Sequence, residues 1–180
     1  MTLADQLTVA RAGAVPVVVA LFAIDFPHHN FWGASVFAVA MMTDQVDGWL
    51  ARRSGTSSDL GRILDPVADK LLVMATLVVL VPSGVFPGWM VAAIVAREFL
   101  VSGLRLAALE RGVVVAARDL GKLKAWAQAV AGGLGGLAAG DAFSDRIAWW
   151  ALVVALAITW LSGLDYARAA PALLRGQQPA

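Results

Sequence analysis

The chain has 180 residues, of which 59% are hydrophobic and 15% charged, with no cysteine and a mean hydropathy of +0.73. Soluble domains run nearer half apolar and a quarter charged, and a soluble core of this size has no room for so much apolar surface, so a soluble enzyme is disfavoured. The missing thiols exclude disulfide scaffolds and thiolate zinc sites, and a formal net charge of +1 lacks the basic footprint of a nucleic-acid binder, so no nucleic acid is expected as a partner. Six apolar runs follow, at Leu7 to Ile24, Phe31 to Ala51, Leu64 to Val81, Gly88 to Leu109, Leu120 to Ala139 and Ile147 to Leu164. Each approaches the roughly 20 residues that a helix needs to cross the hydrocarbon. The runs are continuous rather than alternating and rich in Ala and Leu, which implies helices rather than strands. No Lys or Arg precedes the first run and Arg11 lies inside it, unlike a cleavable signal. No soluble domain or linker separates the runs, so residues 1–180 are expected to form one membrane domain.

Lys and Arg orient the expected bundle. The breaks at Asp25 to Asn30 and Pro82 to Pro87 have none, and Gly140 to Arg146 has only Arg146. Arg52, Arg53, Arg62, Arg111, Arg118, Lys122, Lys124, Arg168 and Arg175 fall on the opposite side. Both termini and the longer basic connections are therefore expected to face the cytoplasm from the cell inner membrane. Trp32, Trp89, Trp149 and Trp150 gather at the outer ends, as an interfacial aromatic belt would. Gly132, Gly133, Gly135 and Gly136 suit close helix packing. His28 and His29 read as loop residues.

Polar chemistry sits where hydropathy is violated. Asp44, Asp47, Asp65 and Asp69 lie within or just after the second run, and intramembrane carboxylates are costly enough to imply function. At about 100° per residue Asp44, Asp47, Gly48 and Ala51 share one helical face, and Asp65 and Asp69 share a face of the next helix. Four convergent anions would repel one another unless cations neutralised them. Oxygen-only ligation favours Mg²⁺ or Mn²⁺, and four aspartates suffice for two bridged ions, an arrangement suited to phosphoryl transfer. Gly48 and Ala51 leave space for a ligand, Arg52 can pair with phosphate oxygens, and Gly61 offers another close backbone approach. Arg53 also reads as a positive-inside anchor, and Asp65 before Pro66 as a helix cap.

Asp44, Asp47, Gly48, Ala51, Arg52, Gly61, Asp65 and Asp69 fit every spacing of an eight-position signature over 26 residues, D-x₂-DG-x₂-AR-x₈-G-x₃-D-x₃-D. In this the chain resembles the CDP-alcohol phosphatidyltransferases, whose six-helix plan is also the one read here from hydropathy. The fold expected is an all-α integral membrane protein, six transmembrane helices around a polar cavity open to the cytoplasm. The stretches Leu64 to Leu71, Ala96 to Arg105 and Gly121 to Lys124 resemble those members that transfer a phosphatidyl group from CDP-diacylglycerol to sn-glycerol 3-phosphate, releasing CMP. The resemblance implies that Asp44, Asp47, Asp65 and Asp69 hold two Mg²⁺ and that Asp69 also deprotonates the attacking hydroxyl. It implies a CDP site lined by Gly48, Ala51, Arg52 and Gly61 with Thr8, and a homodimer. Asp5, Gln6, Leu7, Thr8 and Arg11 resemble the family's NxLTxxR pattern, with Asp5 where asparagine is usual.

An acceptor phosphate needs a second site. Arg97 is about 10 residues into the fourth run, near mid-membrane, and demands an anion or a cavity. Arg105, Lys122 and Lys124 are expected to complete a basic pocket with it. The structural alternatives are that Glu98 neutralises either arginine and that the lysines bind anionic lipid headgroups. Two other functions would draw on the same features: a family member with a different acceptor, such as a cardiolipin or inositol-phosphate transferase, or a divalent-cation transporter. A transport path would continue as polar residues to the outer face, whereas the charges here gather on the cytoplasmic half.

Overall fold

Each of the six apolar runs forms an α-helix, the first run outlasting its helix by Ile24 and the third by Leu80 and Val81. A computed structural model of the chain describes residues 3–54, 59–112 and 119–174, with side chains described at 9–43, 67–112, 120–164, 166–168 and 170–171. The helices are α1 (Leu3–Ala23), α2 (His29–Ser54), α3 (Asp59–Val79), α4 (Gly88–Glu110), α5 (Asp119–Ala139) and α6 (Asp145–Leu174), with one 3₁₀ turn at Val81–Ser83. No strand occurs among the described residues. Several helices outrun the apolar segments that mark them, α6 ending at Leu174 rather than Leu164. The backbone ladder continues wherever residues are helix-competent, whereas hydropathy reports only the apolar stretch.

Two of the tight connections have defined stops. Gly112 adopts φ 76°, and its N–H donates to the Leu109 carbonyl at 2.9 Å, ending α4. Asp141 takes φ 56° after α5, and Asn30 Nδ2 at the head of α2 donates to the Ala139 carbonyl at 2.8 Å. That bond ties the start of α2 to the end of α5.

Helix α1 packs against α2 and α3, α2 against α5, α5 against α6 and α6 against α4, while α3 touches α4 and α5. Small residues permit the closest of these approaches. A Cβ on Gly136 would stand 2.8 Å from the Phe22 ring and 2.9 Å from Ala34, and one on Gly132 would stand 3.2 Å from the Phe37 ring. Gly132, Gly133, Gly135 and Gly136 of α5 are therefore packing sites within the chain, as their spacing suggests. Phe37, Leu72, Leu77, Phe86, Ile94 and Leu152 fill the interior.

The exterior is strongly apolar, and several polar and charged side chains are buried beside the apolar core. Along α4, Arg97 and Glu98 are 2% and 5% exposed, while the next two residues, Phe99 and Leu100, are 72% and 69% exposed. Large apolar side chains such as Met42, Trp89, Trp126 and Leu161 likewise face outward, and Thr76, Gln128, Thr159 and Ser162 are buried. By length and apolarity, the helix stretch that would cross a membrane among the described residues is Asp145–Arg168, whose most apolar window has a mean hydropathy of 2.0. Six spans were expected, and one passes. In α4 and α5, inward-facing charges, glycines and Gln128 lower the average that a one-dimensional hydropathy count sees.

Candidate active site

Asp69, on α3, faces α1. Arg11 Nη1 donates to Asp69 Oδ1 at 2.6 Å, with the arginine side chain 5% exposed and the aspartate 33% exposed. The α1–α3 contact thus positions a carboxylate that retains access to solvent. The sequence shows Arg11 inside the first apolar run and in the N-terminal pattern but does not name Asp69 as its partner; an arginine inside an apolar run, which must find an anion, is the signal for this pairing. Asp44 and Asp47 belong to α2, and Asp65 belongs to α3 with Asp69. The side chains of Thr8, Asp44, Asp47, Gly48, Ala51, Arg52, Gly61 and Asp65 lie outside the described residues.

Lys70, one position on, faces α4, where its Nζ donates to Ser102 Oγ at 2.8 Å. It lies within Coulombic reach of Glu98, Arg105 and Arg97. Around Glu98 is a polar cluster drawn from α4, α5 and α6. Glu98 Oε1 accepts from Arg97 Nη1 at 2.9 Å, from Lys124 Nζ at 2.6 Å and, at 3.4 Å, from Gln128 Nε2. Gln128 Nε2 also donates to Thr159 Oγ1 at 2.8 Å, and Arg97 Nη2 donates to Ser162 Oγ at 2.5 Å. Gly163 makes room for the arginine: a Cβ there would lie 2.9 Å from Arg97 Nε.

Arg105 is held differently. Its Nη2 donates to the hydroxyl of Tyr166, and its guanidinium carbon is 4.9 Å from that ring's centroid. Among the described residues it has no carboxylate partner. Among the described residues, the Nε atoms of both Arg97 and Arg105 are buried without a hydrogen-bond partner. Arg97 and Lys124 thus share one acid, Glu98, while Lys70 and Arg105 have no carboxylate partner among the described residues. Such an excess of charge in a poorly solvated place is stabilised by an anion.

Three of the expected acceptor residues, Arg97, Arg105 and Lys124, thus come together. Lys122 is exposed, and two residues along α5 place it about 200° around the helix from Lys124. Glu98 neutralises Arg97 rather than Arg105. Lys70, Ser102, Gln128, Thr159, Ser162 and Tyr166 were not picked out from the sequence. The last three had a faint signature, polar groups at i, i+3 and i+7 on an otherwise apolar helix.

Residues 1–161 match the model of the CDP-alcohol phosphatidyltransferase family. The chain is 41% identical over 141 residues to a Bacillus subtilis (strain 168) protein named CDP-diacylglycerol--glycerol-3-phosphate 3-phosphatidyltransferase, covering 72% of this chain and 73% of that one. It is 35% identical over 170 residues to a Rickettsia bellii protein of the same name, covering 93% and 94% of the two chains. A protein from Arabidopsis thaliana, the second so named there, is 40% identical over 150 residues, covering 73% of this chain and 62% of its own.

Proposed function

Because the chain belongs to the CDP-alcohol phosphatidyltransferase family, we propose that its donor is CDP-diacylglycerol and its acceptor sn-glycerol 3-phosphate, giving phosphatidylglycerophosphate and CMP. The names of the relatives support both substrates. The observation that favours a phosphorylated acceptor is the excess of cations around Glu98, reached from Asp69 through a single peptide bond to Lys70. A dianionic phosphate suits Lys70, Arg97, Arg105 and Lys124 as a small alcohol without phosphate does not.

The reaction is a single in-line displacement. The acceptor hydroxyl oxygen bonds to the β-phosphorus of the lipid diphosphate, the bond from that phosphorus to the CMP oxygen breaks, and CMP departs with the electron pair. Asp69 receives the hydroxyl proton, and Arg11 orients its carboxylate. The donor set, four aspartates on two consecutive helices without cysteine or histidine, fits two Mg²⁺ or Mn²⁺ held by Asp44, Asp47, Asp65 and Asp69. When bound, these ions supply electrostatic stabilisation of the diphosphate. Thr8, Gly48, Ala51, Arg52 and Gly61 line the CDP site. The protein spans the inner membrane several times, with both termini and the site cytoplasmic. The many large apolar side chains exposed on the outer surface, with Arg97 and Glu98 buried inside, support this embedding, since soluble monomers rarely expose such large apolar patches. The homodimer is taken from the family resemblance.

Purified protein given CDP-diacylglycerol and a panel of acceptors tests the reading. Glycerol 3-phosphate is expected to give phosphatidylglycerophosphate and stoichiometric CMP. Preference for an inositol phosphate, or for phosphatidylglycerol, would overturn the acceptor assignment.

A further inference from the structure

We propose that Tyr166 is a specificity-determining residue of the acceptor site, fixing the Arg105 guanidinium and offering its own phenolic proton to the acceptor's phosphate; this rests on the acceptor reading above.

Tyr166 is the chain's one tyrosine. It sits on α6 at 6% exposure, where phenylalanine would pack as well and would bury no hydroxyl. A buried phenol is retained at low cost only when its oxygen is bonded. Here the bond comes from Arg105 Nη2 on α4, 61 positions away in sequence. An arginine has donors only, so the phenolic oxygen is the acceptor and its own proton is directed elsewhere. Among the described residues nothing accepts that proton, and nothing accepts from Arg105 Nε, although that nitrogen is buried. Two donors from facing helices are therefore left without acceptors beside a guanidinium that lacks a carboxylate. An oxyanion accepts from both at once and also neutralises the guanidinium, which an uncharged hydroxyl cannot do. Arg97 contrasts with this, being engaged by Glu98 and Ser162. Both arginines have an unpartnered Nε, but Arg105 alone of the two lacks a carboxylate among the described residues, and Tyr166 sets where its guanidinium points. Tyr166 also lies outside the family match, which ends at residue 161, while Arg97 and Arg105 lie within it.

The test is Tyr166→Phe, which keeps the ring and its packing and removes only the hydroxyl. Steady-state kinetics in mixed micelles, varying each substrate in turn, are expected to show KM for glycerol 3-phosphate rising roughly 10-fold while KM for CDP-diacylglycerol stays within about 2-fold. Inhibition by inorganic phosphate, competitive with glycerol 3-phosphate, should weaken in parallel. In an Arg105→Gln background the same change should have a much smaller effect, because the orienting partner is gone. A fall in kcat alone, or equal rises in both KM values, would make Tyr166 a packing residue and overturn the proposal. If Arg105→Gln raises KM for glycerol 3-phosphate and Tyr166→Phe does not, this inference fails and the acceptor reading stands. If neither variant changes it, the acceptor assignment itself falls.

Discussion

Asp69 and Lys70 are consecutive in the chain yet serve different neighbours of α3, the aspartate bonded to Arg11 of α1 and the lysine to Ser102 of α4. Successive residues on a helix point about 100° apart, so one turn of α3 presents a carboxylate to one flank and a cation to the other. In the proposed reaction these flanks are the proton acceptor and the acceptor-phosphate pocket. A shift of α3 would therefore disturb both together.

Removing Arg11 should be felt in both stability and turnover. Arg11→Ala leaves the Asp69 carboxylate without its guanidinium, and because a third of that side chain is exposed the expected cost is about 1–3 kcal/mol rather than the full penalty of a buried orphan. Thermal unfolding in detergent should show a lower midpoint. CMP release should fall by at least roughly 10-fold, with Arg11→Lys intermediate. A variant of native stability and native rate would leave Arg11 without the orienting role.

Asp65→Asn or Asp69→Asn should abolish CMP release while the protein still inserts, since losing a charge eases insertion. Chelation by EDTA should silence the native protein, with Mg²⁺ or Mn²⁺ restoring it. Near-normal turnover in either variant would count against the two-ion site.

Glu98→Ala removes the one described acid among four cations and leaves Arg97, 2% exposed, without its carboxylate. A loss of about 3–5 kcal/mol is expected. Millimolar inorganic phosphate should recover part of the melting temperature, because an anion bound only by the folded state stabilises it by mass action. A melting curve indifferent to phosphate would argue against an anion site there.

Two glycine substitutions should move in opposite directions. Gly136→Leu drives a side chain into Phe22 and Ala34 and should destabilise by about 3 kcal/mol or prevent folding. Gly103→Ala meets nothing within 4 Å on an exposed face of α4 and should stabilise by about 0.5–1 kcal/mol through helix propensity. Thermal melts of both variants decide the matter.

The helical class, the number of helices and the aspartate signature were legible in the sequence because each is a local property: apolar runs report spans, and carboxylates three or four apart share a helical face whatever surrounds them. Arg97 also announced itself, since a charge among apolar residues requires a partner. Glu98 was legible as an alternative partner for either arginine; which arginine it takes was not. Glu98 takes Arg97 and Lys124 but leaves Arg105 to Tyr166, and Ser162 reaches Arg97 across 65 positions. These choices depend on how α4 and α6 rotate and cross, which is set by packing over the whole bundle and by the room that Gly163 leaves for a guanidinium. Residue spacing within one helix carries no information about rotation relative to another, so only the tertiary structure could turn a scattered set of cations into one polar cluster with α6 as its third wall.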